Sequence, residues 1–206
     1  MRDKSLLDVG TATGFLAFEA EKRGARVAAF DIDSGSYQTN VPFAGYTYHE
    51  HTDSWIQGAN INLRGLHNSF WYCHKRYNSR VRAIYGSFNE LRKRGETFDV
   101  VLAGALFEHL SDPVTALGIL AKIARDTLVI AWTPVILSED IFMRPCVPWD
   151  NAKIDFCWYE MSVGMYRRLL LNVGFRIQAI HFVNAFYVTD NVIAERPTLV
   201  AKRIVA

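Results

Sequence analysis

The sequence holds little cysteine and arranges none of it in a pattern. Its three cysteines, Cys73, Cys146 and Cys157, form no C-x-x-C pair and no zinc-type spacing. That excludes a disulfide framework or a zinc module and implies reduced thiols in a cytoplasmic protein. Long apolar runs are missing too: no stretch approaches the ~18 residues that a membrane-spanning helix needs. The opening Met1-Arg2-Asp3-Lys4 leads straight into a fold-like pattern, with no signal peptide. Internal repeats and low-complexity tracts are absent. What remains is a chain of 206 residues, 50% hydrophobic and 21% charged, enough for one domain with insertions and a sizeable core.

Acidic residues are scarce in one region. Between Ile61 and Arg94, eight Lys or Arg face the single acid Glu90, a net charge of +7 in a chain whose total is +2. Phe70, Trp71, Tyr72 and Tyr77 are interleaved with them. Such a stretch can attract phosphates or nucleic acid. A solvated helix face followed by a basic loop is the plainer alternative.

The elements alternate. Ser5–Val9 reads as a buried parallel strand, followed by the turn Gly10-Thr11-Ala12-Thr13-Gly14, a helix from Phe15 to Arg23 stopped by Gly24, and a second strand Arg26–Asp31. This is one βαβ unit. Residues 34–59 are aromatic and poor in charge, as long binding loops are. Leu63, Leu66, Phe70, Cys73 and Tyr77 then step by three and four, the core stripe of a helix. Val81–Tyr85 gives strand three and Phe98–Gly104 strand four. Asp112-Pro113 starts a helix, and Thr127–Trp132 is strand five. A proline-dotted excursion over 133–158 precedes a helix from Val163 to Asn172. Phe175–Phe182 and Thr198–Ile204 close the chain. The pattern predicts a doubly wound, Rossmann-like α/β sheet.

A glycine turn between a first strand and a first helix places backbone N–H groups beside a ligand. The dinucleotide pattern G-x-G-x-x-G fails here, because Gly10 is followed by Ala12 and then Phe15. The turn instead reads Asp8-x-Gly10-x-x-x-Gly14, with a second acid, Asp31, ending strand two. These residues resemble the class I S-adenosylmethionine-dependent methyltransferases. Gly86-Ser87-Phe88, Phe98–Gly104 and the segment Leu106-Phe107-Glu108-His109-Leu110-Ser111-Asp112-Pro113 extend the resemblance. Its flavour is closest to the core of the tRNA wobble-uridine carboxymethyltransferase-like group.

The resemblance implies S-adenosyl-L-methionine as cofactor and a seven-stranded sheet, six strands parallel and the last antiparallel, in a single domain. It assigns to the cofactor Asp8, Gly10, Thr11, Ala12 and Gly14 of the turn, and Asp31 with Ile32 after strand two. Ser87 and Phe88 after strand three, and Ala103 and Gly104 at the end of strand four, complete that set. The family's middle glycine is Ala12 here, and its frequent aspartate is Ser87. Only four residues precede strand one where relatives carry covering helices, which implies a shortened or incomplete member.

His109 lies just past strand four, at the edge where open α/β sheets bind ligands, and is the first candidate for a general base. Glu108 is the second. A structural histidine is the competing reading, since transfer from an activated sulfonium can proceed by alignment alone. His49-Glu50-His51 lacks a third metal ligand, so no metal is expected. Trp149 and Trp158 are either walls of an acceptor pocket or core anchors. The expected acceptor is a small molecule with an oxygen or nitrogen nucleophile, selected by segments 34–59 and 133–158 acting as a lid. A tRNA-modifying transferase and a catalytically silent S-adenosylmethionine-binding protein are the alternatives.

Overall fold

The computed structural model describes residues 1–38, 52–145, 159–187 and 191–204. His49, Glu50, His51, Cys146, Trp149, Cys157 and Trp158 lie outside these residues, as does half of the expected lid. Two compact units make up the chain, Met1–Glu96 and Thr97–Ala206.

The first unit runs β1 (Ser5–Val9), α1 (Phe15–Lys22), β2 (Arg26–Asp31), α2 (Thr52–Arg76), β3 (Arg82–Tyr85) and α3 (Phe88–Lys93). Its strands lie in the order β3-β2-β1 and pair in parallel, Val9 beside Phe30 and Asp31 beside Tyr85. Leu6, Leu7, Val9 and the run from Val27 to Phe30 are buried, as a parallel strand covered on both faces requires. Ala17, Phe18 and Ala20 of α1 and Leu63 and Phe70 of α2 supply that cover. The apolar stripe predicts α2 from Leu63, but the helix begins at Thr52. Buried Ala59 sets the reason: it continues the Leu63 and Phe70 face backwards by four residues, and Gly35 is approached there by Ala59 and the carbonyl of Ile56. The final part of segment 34–59 is therefore helix.

The second unit contains β4 (Phe98–Gly104), a 3-10 turn (Phe107–His109), α4 (Pro113–Ile123), β5 (Ala124–Ala131), β6 (Val135–Ile136), β7 (Met143–Pro145), β8 (Tyr159–Ser162), α5 (Val163–Asn172), β9 (Phe175–Tyr187) and β10 (Val192–Arg203). Asp112 caps α4 as expected, its carboxylate accepting the Thr115 N–H at 3.0 Å. The strands run β4-β5-β10-β9 and complete the seven of the main sheet. β4 and β5 are parallel, and β10 is antiparallel to both β5 and β9. The strand that reverses direction is thus the last in the chain, matching the expectation for a Rossmann-like α/β fold.

Three boundaries differ from the expected ones. β5 starts at Ala124, not Thr127, because α4 passes into it without a loop. β9 and β10 form a hairpin that extends past Phe182 and begins before Thr198. Segment 133–158 contributes β6 and β7 to a small second sheet, order β6-β8-β7. Among the described residues no helix is long and apolar enough to cross a membrane.

Candidate cofactor and acceptor sites

The turn after β1 is built from three residues in the left-handed region: Gly10 (φ 74°), Ala12 (φ 49°) and Gly14 (φ 85°). Two are glycine, for which this conformation is cheap. Ala12 is not, and a left-handed alanine costs about 1–2 kcal/mol. Size alone does not explain why alanine is tolerated at this position. A hydrogen bond holds it, the Ala12 N–H donating to Asp31 Oδ2 at 2.7 Å. The N–H groups of Gly10 and Thr11 both donate to the Phe30 carbonyl, at 2.9 and 3.0 Å, tying the turn to β2.

Asp8 lies beneath this turn, 2% exposed. Its Oδ2 accepts the Thr11 hydroxyl at 2.7 Å. Burial pushes its carboxyl up to about 7, with the Thr11 hydrogen bond opposing and the Asp31 charge adding to the rise. Asp8 and Thr11 therefore brace the loop from below. Asp31 is also buried, and burial raises its carboxyl above the usual range, against the lowering effect of the Ala12 and Ile32 N–H groups. The Ile32 N–H donates to Asp31 Oδ1 at 2.8 Å. Each carboxylate oxygen thus takes one backbone donor and keeps acceptor capacity for a further one.

Gly14 serves packing as well as turn geometry. A Cβ there would stand 2.5 Å from Phe18 Cε2 and 2.6 Å from Phe70 Cδ2, rings whose centroids are 5.1 Å apart. Gly14→Ala is expected to destabilise the protein by about 2–3 kcal/mol, overpacking and left-handed strain together. A lower urea midpoint at unchanged m-value would register it. Phe15, where the dinucleotide pattern has its last glycine, is 61% exposed and asks for no such close approach. The N-terminus of α1 has no side-chain cap. Its helix dipole suits an anionic group, and the Ala17 N–H of its first turn already acts on the Asp8 carboxylate.

Sequence reasoning missed three side chains near Asp31. His67 of α2 packs at a tilt against Tyr85, 4.5 Å between ring centroids, and its charge acts on Asp31. Burial and the Asp31 charge raise the pKa of the Tyr85 hydroxyl, and Trp71 beside it opposes the rise. The only available signal was the place of His67 and Trp71 on the helix that follows the second acid and of Tyr85 at the end of β3, and the +7 charge drew attention to the outer face of that helix instead. Ser87 is taken up by a capping box: its hydroxyl accepts the Glu90 N–H at 3.3 Å, and its own N–H donates to Glu90 Oε2 at 2.7 Å. Phe88 packs edge-on against Phe30, ring centroids 5.9 Å apart.

In the second unit, Ala103 and Gly104 end β4, and the 3-10 turn follows. That turn places the two catalytic candidates differently. His109 faces solvent, whereas Glu108 is 6% exposed. Burial raises the Glu108 carboxyl above its ordinary value, with its own backbone N–H, His109, Thr133 and Arg196 opposing. Among the described residues, no three His, Cys, Asp or Glu gather as metal ligands would.

A search of the curated proteins finds no match. Solved structures share the fold. A magnesium protoporphyrin IX methyltransferase from Synechocystis with bound SAH is 14% identical, with a TM-score of 0.60 over 98% of this chain and 75% of that one. The 1,6-didemethyltoxoflavin-N1-methyltransferase of Burkholderia thailandensis is 18% identical, with a TM-score of 0.61 over 99% of this chain and 72% of that one. A SAM-dependent methyltransferase from Methanosarcina mazei is 12% identical, with a TM-score of 0.59 over 100% of this chain and 95% of that one. Residues 1–181 match the family described as a methyltransferase domain. By that match across most of its length, the chain belongs to the methyltransferase-domain family.

Proposed function

We propose that this protein is an S-adenosylmethionine-dependent methyltransferase acting on an oxygen or nitrogen nucleophile of a small molecule. One observation carries the reading. A turn braced from below by Asp8 brings an uncapped helix N-terminus and the acceptor oxygens of Asp31 to the ends of β1 and β2. Donors on one side and a buried carboxylate on the other suit a ligand with an amino-acid carboxylate and ribose hydroxyls. In this reading the α1 N-terminus and the loop from Gly10 to Gly14 hold the amino-acid part, and Asp31 with Ile32 holds the ribose. Ser87 and Phe88 border the base through their backbone. The bound cofactor supplies a methyl group already activated on a positively charged sulfur, so holding the acceptor in line provides much of the acceleration.

The small acceptor is supported by the neighbours named for magnesium protoporphyrin IX and 1,6-didemethyltoxoflavin. S-adenosylhomocysteine is expected to stabilise the protein by about 2.7 kcal/mol at 100 times its dissociation constant. NAD should give no shift. Unchanged melting at millimolar S-adenosylhomocysteine would remove the cofactor assignment.

A nucleic-acid acceptor is the second reading, favoured by the outer face of α2. Tyr72 and Tyr77 are 71% and 64% exposed, beside Arg64, Lys75 and Arg76, which make no ion pair among the described residues. Binding of tRNA that weakens steeply with salt would support it.

A further inference from the structure

The second unit buries two polar atoms that nothing among the described residues satisfies. Glu108 is 6% exposed and Thr133 2%. Glu108 Oε2 and Thr133 Oγ1 are shut away from water without a hydrogen bond. A buried polar group left so costs about 1–3 kcal/mol, and a charged one more. The Thr133 hydroxyl lies near enough to favour the ionised form of Glu108, so the two groups are neighbours.

They stand on different turns, and both turns are rigid. β4 and β5 are parallel neighbours, Gly104 paired with Ala131. Each strand is followed at once by a non-glycine residue in left-handed backbone, Ala105 (φ 46°) and Trp132 (φ 63°). Hydrogen bonds fix both: the Ala105 N–H donates to the Ala131 carbonyl at 2.8 Å and the Trp132 N–H to the Pro197 carbonyl at 2.9 Å. Phe107 anchors the 3-10 turn, its ring edge-on to buried Tyr166 at 6.1 Å. Strain of this kind persists where the surroundings enforce it and clusters at ligand sites. The carboxyl edge of neighbouring parallel strands is where open α/β sheets bind ligands.

The charges acting on Glu108 decide which ligand fits. They are His109 and Arg196, both of which favour an anion there. An ammonium group would meet them unfavourably, whereas an oxygen that gives up its proton would be stabilised. An aliphatic hydroxyl holds its proton too tightly for a carboxylate to accept it. A phenolic hydroxyl is more acidic, and burial moves the Glu108 carboxyl toward it, narrowing the gap the proton must cross.

We propose that Glu108 and Thr133 form the recognition site for a phenolic hydroxyl of the acceptor. Glu108 Oε2 receives the hydroxyl's hydrogen bond and then its proton, leaving the electron pair on the phenolic oxygen, and Thr133 Oγ1 bonds that same oxygen. This rests on the methyltransferase reading and narrows its acceptor to oxygen.

The test uses para-nitrophenol, para-nitroanisole and para-nitrobenzylamine, titrated by calorimetry into the full chain without cofactor. The wild type should bind the phenol about 10-fold or more tightly than the anisole, which cannot donate. Glu108→Gln and Thr133→Val should each reduce that preference. A Glu108→Leu/Thr133→Val double variant should abolish the preference and melt at a higher temperature than the wild type. No binding of the phenol, equal affinity for phenol and anisole, or tighter binding of the amine would overturn the phenol assignment. A double variant that melts lower would show the pair to be structural and overturn the site. S-adenosylhomocysteine binding, measured on the same samples, reports separately on the methyltransferase reading.

Discussion

Asp8→Asn is expected to make the ligand-free protein more stable at about pH 8 and to leave it unchanged near pH 3. The carboxyl of Asp8 is held at about 7 in the folded protein, from an ordinary value of 3.8. Below the lower value both folded and unfolded chains carry the proton, and the group contributes no pH dependence. Between the two values the unfolded chain releases its proton while the folded chain keeps it, so stability falls as pH rises. Above the upper value the fall is complete. At about 1.4 kcal/mol per pH unit, the loss reaches as much as about 4 kcal/mol. Asparagine has nearly the same shape, can still accept the Thr11 hydroxyl and does not ionise. Urea denaturation across that pH range should therefore give a falling curve for the wild type and a flatter one for the variant. Parallel curves would mean that Asp8 titrates near its ordinary value. A cationic ligand held near Asp8 and Asp31 would lower both carboxyl pKa values. The affinity of S-adenosylmethionine should accordingly rise between about pH 6 and 8 in the wild type and change less in Asp8→Asn.

Much of the fold was legible because its strands are buried on both faces. Leu6–Val9, Val27–Phe30 and Val100–Ala103 read as apolar runs punctuated by glycine or an acid, and each is a strand of the main sheet. α2 was legible only from Leu63 onward, because Thr52–Asn62 holds six polar residues and its buried face there is a small alanine. The hairpin of β9 and β10 outruns its sequence signal because its far end is not core. Phe182, Val183 and Ile193 are exposed, so no alternation of buried and exposed positions marks it. β6 and β7 are too short for any period to show, and β7 ends in a proline, which argues against a strand.

The site divides along the same line. Backbone devices announce themselves in residue type: Gly10 and Gly14 lie in the turn after β1, and Asp31 ends β2. Side-chain orientation on irregular segments does not. Glu108 and His109 are adjacent, and only the 3-10 turn anchored by Phe107 sends the acid inward and the histidine out. Thr133 carries no signal at all, since its burial depends on the reversal at Trp132.

Asp31→Ala is expected to lose S-adenosylhomocysteine binding by about 150- to 20,000-fold, corresponding to two hydrogen bonds to a charged acceptor at about 1.5–3 kcal/mol each. The carboxylate has two tasks, and the variant removes both. It takes the N–H groups of Ala12 and Ile32, and its remaining lone pairs are the acceptors proposed for the ribose. Losing the first task alone would loosen the turn, because the bond to Ala12 holds an alanine in left-handed backbone. The two tasks separate in a cycle with a deoxy analogue of S-adenosylhomocysteine that lacks one ribose hydroxyl. If Asp31 bonds the ribose, the wild type should bind the analogue more weakly than the parent, and Asp31→Ala should bind both alike. If Asp31 only supports the turn, the variant will lose affinity for both ligands by the same factor, and the analogue will remain as disfavoured in the variant as in the wild type. Isothermal titration of the four pairs decides between them. The second pattern would leave the glycine turn in place and remove Asp31 from the ribose.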